Sequence, residues 1–178
     1  PGAIEAGTRR EDLVAHIDIA ATSLHFAGIE IPEVMEGRPL FGDGFQARDF
    51  VVSARDRCDE TMERMRCVRT TGFKYIRNFH PNRPHLQPNG YKDNKPIIIR
   101  IRELHAGGKL NDLQASMLKP RRPMEELYDL ANDPWETKNL ARDPKFRAEL
   151  RKHRRILEKW IVETQDAGQT PEDLKAYQ

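Results

Sequence analysis

The densest run of groups able to do chemistry is Arg55-Asp56-Arg57-Cys58-Asp59-Glu60-Thr61, directly behind a predicted strand. Alternating charge at a strand end commonly makes a solvated lattice of ion pairs that adds little stability. The functional alternative is a substrate-facing loop. Arginine offers a planar, permanently charged fork that matches sulfate, phosphate or carboxylate, while Asp and Glu accept hydrogen bonds from hydroxyls or amines. A second polar run, His80, Asn82, Arg83 and His85, falls in a segment rich in Pro and Asn. The substrate-binding candidates are therefore Arg55, Asp56, Arg57, Glu60, His80, Arg83 and His85. Bond-breaking patterns are another matter. The chain holds no G-x-S-x-G, no Walker phosphate loop, no H-E-x-x-H and no paired C-x-x-C. Histidines at positions 16, 25, 80, 85, 105 and 153 lack metal-ligand spacing. Cys58 and Cys67 suit one bridge, a metal pair or two thiols, and the bridge fits only an oxidising compartment. No catalytic residue and no metal ligand are assigned.

The elements that must hold these groups follow from periodicity and punctuation. Asp18 stands as the N-cap of a helix over 18–27, with Gly28 in the left-handed position behind it. Ile17, Ala20, Ala21, Leu24 and Ala27 then form a narrow apolar face of small residues. Strands are predicted at 50–54, 65–70 and 73–78, the last two joined at Thr71-Gly72. Residues 80–98 read as a long ordered loop, 110–118 as a short helix and 126–130 as a further strand. From about Pro144 to Thr164, Phe146, Leu150, His153, Leu157, Trp160 and Ile161 keep the helical period, with Asp143 as cap.

Composition narrows the possible partners. Among 178 residues, 30 Lys and Arg face 28 Asp and Glu, so the net charge is +2. Such balance argues against a dedicated nucleic-acid or polybasic membrane binder, and the basic run Arg147 to Arg155 is answered by acids elsewhere. A mean hydropathy of −0.77 and the lack of a long apolar run leave no membrane span. The opening Pro1-Gly2-Ala3-Ile4 shows neither an initiator Met nor a signal-peptide core and reads as the interior of a longer chain.

Two stretches go further. One is Val14-Ala15-His16-Ile17-Asp18-Ile19-Ala20-Ala21-Thr22, continuing through Ala27-Gly28-Ile29 to Gly37-Arg38-Pro39-Leu40. The other is Glu125-Glu126-Leu127-Tyr128-Asp129-Leu130-Ala131-Asn132-Asp133-Pro134-Trp135-Glu136-Thr137-Lys138-Asn139-Leu140. With Lys74-Tyr75-Ile76, they resemble the carboxy-terminal part of a type I sulfatase of the alkaline-phosphatase-like superfamily, over residues 11 to 162. Ala21 stands where that family often has Pro. The resemblance implies an α+β fold: a terminal piece of the large domain over 1–45, a small subdomain over 46–166 and a tail over 167–178. In that subdomain a small antiparallel sheet packs against the long last helix.

The resemblance further implies hydrolysis of sulfate esters or sulfamates, on sulfated carbohydrates, in an exported protein. A formylglycine made from Cys or Ser in C/S-x-P-x-R would be the nucleophile, and a calcium ion would neutralise the sulfate. Neither Cys58 nor Cys67 fits that pattern, so nucleophile and calcium ligands are expected upstream. This chain would supply the fold and a wall of the substrate pocket, its partners being a sulfated saccharide and the upstream half of the enzyme. Alternatives are a phosphodiesterase or phosphonate hydrolase of the same superfamily, or a non-catalytic binding module.

Overall fold

Helix α1, Asp18–Phe26, ends where Gly28 turns the chain with φ +68°, a conformation that glycine adopts without strain. At its start the structure departs from expectation. Ile17 is the capping residue, without a side-chain bond, and Asp18 is the first helical residue, fully buried. Its carboxylate accepts the Ala15 N–H at 2.8 Å, the Arg38 N–H at 2.9 Å and the Arg48 guanidinium. Asp18 therefore fastens two following loops to the helix instead of closing its end. Burial pushes this carboxyl up, but Arg48 and the two amides outweigh it and hold it below the usual carboxylate range. Next to Arg38, Gly37 is required by close approach: a Cβ there would lie 2.4 Å from the Ile17 carbonyl oxygen. The buried face of α1 is Asp18, Ala21 and Thr22, whereas Ile17 is 53% exposed and Ala20 and Ala27 are also exposed.

The computed structural model describes residues 4–170, which cluster into two compact units. One runs to Val51 and includes Arg69–Thr71; the other holds Val52–Val68 and the chain from Gly72 onward. The expected tail over 167–178 thus lies outside the described residues from 171 on.

Apart from the end residues Val51 and Arg69, the second unit holds a four-stranded sheet of order β1-β2-β3-β4: Val51–Cys58, Thr61–Arg69, Phe73–Asn78 and Glu125–Asp129. The polar run at 55–61 is not a loop behind a strand. It is the second half of β1 and the two-residue turn Asp59-Glu60 into β2, with Asp59 at φ +50°. Asp tolerates that left-handed geometry because its short carboxylate satisfies local amides. Strands β3 and β4 pair antiparallel from Phe73↔Asp129 to Arg77↔Glu125. Leu127 and Tyr75, opposite one another, are the buried centre of the pair.

The Asp129–Leu140 segment explains its own shape. The Asp133 carboxylate accepts the Thr137 and Lys138 N–H groups at 2.7 and 2.8 Å, closing one turn. Asn139 then completes the open edge of β4: its Oδ1 accepts the Leu127 N–H at 3.0 Å and its Nδ2 donates to the Glu125 carbonyl at 3.0 Å. Asp143 caps the next turn by accepting the Lys145 N–H at 2.9 Å, and Pro144–Phe146 form a 3₁₀ turn ahead of the long helix. That helix, Arg147–Glu163, lays Leu150, His153 and Leu157 on the sheet, while Trp160 is half-buried.

Residues 80–98 are less of a loop than their Pro and Asn content suggests. Helices at Gly90–Asp93 and Pro96–Ala106 follow an ordered stretch, and a third runs over Asp112–Ser116. Pro96 opens its helix at the first turn, where the missing N–H costs nothing. In chain order α1 is thus followed by α2 (Gly90–Asp93), α3 (Pro96–Ala106), α4 (Asp112–Ser116) and α5 (Arg147–Glu163).

Candidate functional site

A cavity of about 960 Å³ opens over the β1–β2 hairpin, lined by Asp56, Arg57, Arg64, Phe79, His80 and the residues from Asp166 to Thr170 among others. Two of its lining residues, Asp56 and Asp166, are held from behind by Arg66 of β2, which is 1% exposed. This guanidinium donates to Asp166 at 3.0 and 2.6 Å and to Asp56 at 2.7 and 3.1 Å, two forks on one planar group. The chain leaving α5 is thereby clamped onto the sheet. Burial acts to lower the Arg66 value, and the two carboxylates raise it above the ordinary. Asp166 is held below the usual range first by its hydrogen bond from Arg66. Gly168 passes so close that a Cβ would stand 2.0 Å from an Arg66 nitrogen.

A second buried pair lies beside the first. Glu63 of β2 accepts from Arg122 and from the Gln87 amide, the latter at 2.6 Å, and both charged groups are buried. Besides Asp56, Asp166 and Glu63, the charged and imidazole groups that line the cavity are Arg57, Asp59, Arg64 and His80, and Arg64 lies 3.6 Å from Asp166. Arg64 lies over the Phe79 ring at 4.0 Å, donates to the Gln169 side chain at 3.1 Å, and keeps its buried Nε without a partner. The wall therefore offers guanidinium donors for an anionic group, a carboxylate for hydroxyls and an aromatic ring that fixes one of the guanidiniums.

Of the seven candidates, Asp56, Arg57 and His80 line this cavity. Asp56 spends its carboxylate on Arg66, and Arg57 donates to the Asp59 carbonyl. Arg55 is exposed on β1. Glu60 accepts the Gly90 N–H and so ties the hairpin turn to α2; the bond from its own amide first, and then that from Gly90, hold it below the usual range. Arg83 donates to the Met62 carbonyl, and His85 lies 3.9 Å from Glu126. The last four do not line the cavity, and Arg64 and Phe79 were not singled out. Arg64 was hidden because burial along β2 slips phase: Thr61 and Glu63 are buried, then Arg66 and Val68, so strict alternation misplaces it. The Cys58 thiol is free at the surface, so it makes no bridge to Cys67.

Among the described residues no group of three or more His, Cys, Asp or Glu could hold a metal ion. No helix among them is long and apolar enough to cross a membrane.

No family model matches the chain. An ulvan-active sulfatase of Formosa agariphila is 34% identical over 173 residues, which is 97% of this chain and 29% of that protein. The human N-sulphoglucosamine sulphohydrolase is 28% identical over 148 residues, 81% of this chain and 28% of its own length. A solved 2-O GAG sulfatase superposes with a TM-score of 0.65 over 97% of this chain and 30% of that one; at 22% identity it speaks for the fold. The chain is a sulfatase segment, matching the family's carboxy-terminal portion. It spans about three tenths of the length of the relatives it matches.

Proposed function

We propose that the protein is a sulfatase hydrolysing sulfate esters or sulfamates of sulfated carbohydrates, and that these residues supply a wall of its substrate pocket. The observation that carries the reading is the match across 97% of the chain to a sulfatase named for its action on ulvan. The cavity over the β1–β2 hairpin supports it. Arg57 and Arg64 present donors to a sulfate or carboxylate, and Asp59 accepts from sugar hydroxyls. The Phe79 ring and Gln169 hold Arg64 in place, so little side-chain freedom is lost when ligand binds.

Breaking a sulfate ester needs a nucleophile and a charge stabiliser in one rigid site. Neither cysteine here has the C/S-x-P-x-R context, and the described residues offer no metal cluster. In this reading formylglycine and calcium belong to residues outside this chain. Action on polysaccharide outside the cell goes with export of the protein.

The test is Arg57→Ala and Arg64→Ala in the full-length enzyme. The expected result is a loss of about tenfold in kcat/KM on a sulfated saccharide, about 1.4 kcal/mol, with a small aryl sulfate nearly unaffected. Equal losses on both substrates would make these arginines structural and remove the pocket-wall role.

A further inference from the structure

The charge balance of the whole chain hides a local excess. Between Arg142 and Arg155 seven Lys and Arg face two acids, against a net charge of +2 for all 178 residues. On α5, Arg147, Arg151 and Arg155 follow one another at every fourth position and are exposed. Such spacing puts them on one stripe about 12 Å long. Arg142 continues it ahead of the helix, also exposed. None of these four arginines has an ion pair among the described residues, unlike Arg154, which is spent on Glu125.

Two grooves of about 310 and 540 Å³ run along the stripe and share Arg151 and Arg154. The acids at their edges are Asp143 and Glu158. Asp143 is committed to capping the 3₁₀ turn. The residues lining both grooves include no aromatic side chain on which a base could stack. The remaining features are a row of forked cations without carboxylate partners, which suits a flexible chain carrying many sulfates.

The geometry points to the outer face of α5 as a second binding surface for a sulfated polysaccharide, separate from the cavity over the β1–β2 hairpin. Arg142, Arg147, Arg151 and Arg155 grip sulfates along the polymer and raise its local concentration, while the cleaved unit sits elsewhere. This rests on the reading that the protein works on sulfated carbohydrate. It adds that long chains are held at a site that single sugars do not use.

The experiment compares the full-length protein with its Arg147→Gln/Arg151→Gln/Arg155→Gln variant, using high-mass dextran sulfate as the probe. The expected result is at least a tenfold weaker affinity near 0.1 M salt. The plot of log affinity against log salt should flatten by about two to three, one step for each lost contact. Turnover of a sulfated monosaccharide should be unchanged, and replacement of the three residues by Lys should restore most of the polymer affinity. If the triple variant fails to fold, Arg147→Gln/Arg151→Gln is measured in its place. Wild-type affinity in the variant would overturn the proposal, as would tighter binding of duplex DNA or of anionic vesicles than of dextran sulfate. Lack of activity on every sulfated saccharide would instead remove the functional reading and leave the polymer measurement interpretable.

Discussion

Single residues here do their work through who their partners are. Arg66 has a buried guanidinium and two carboxylates, so removing it leaves Asp166 charged and without its fork. Arg66→Met is expected to cost about 3 kcal/mol, read as a fall in urea midpoint, because removing one partner of a buried charge pair is expensive even with Arg64 still 3.6 Å from Asp166. A midpoint unchanged from wild type would show that the clamp contributes nothing. Little of this was legible beforehand. The alternating charge around Asp56 suggests a substrate ligand, whereas its carboxylate accepts from Arg66, 10 positions on, and Arg66 in turn reaches Asp166, 100 positions further. Asp18 was likewise read from its local place as a cap, whereas its amide and guanidinium donors come from residues as distant as Arg48. Short-range spacing carries no information on such long-range pairs.

Elements were read better than residues, since periodicity is a local property. Strands β3 and β4 fall within a residue of their expected places, as does α5 once its leading 3₁₀ turn is counted, and Asp143, Pro144 and Leu127 act as their types suggest. Helix α3 escapes the sequence reading because the Pro and Asn content of residues 80–98 reads as a loop, whereas Pro96 opens that helix. On α5, His153 is fully buried against the rings of Phe73 and Tyr75, at 6.1 and 6.5 Å between centroids. Glu149 lies within 3.3 Å and Lys152 is beside it on the same helix. Burial lowers its proton affinity below the usual value, and the pull of Glu149 does not restore it. An unfolded imidazole takes its proton near pH 6.5, so acid below that point favours the unfolded chain. Stability should therefore fall as pH drops from about 7 toward 5, by up to about 1.4 kcal/mol per pH unit from this one group. The His153→Gln variant, unfolded by urea at pH 7.5 and 5.5, should lose that part of the dependence. Parallel losses in both proteins would assign the acid sensitivity to other groups.

At the scale of the molecule, the segment is a support with a polar wall. Its α+β fold, with a small sheet backed by α5, agrees with the resemblance carried by the Glu125–Leu140 motif. That motif turned out to be architecture: Asp133 and Asn139 close turns and complete an edge. Its value for reading function was indirect, through the family it marks. The cavity could not be foreseen from sequence, because it needs the clamp of Arg66 to bring the chain after α5 onto the sheet. The central claim is that these residues shape and select while the reactive centre lies in other parts of the protein. The most direct measurement is sulfate release by the purified 178-residue chain, beside the full-length enzyme, from a sulfated oligosaccharide and an aryl sulfate. The account predicts turnover by the full-length enzyme and none above the blank by the chain alone; catalytic release of sulfate by the isolated chain would contradict it.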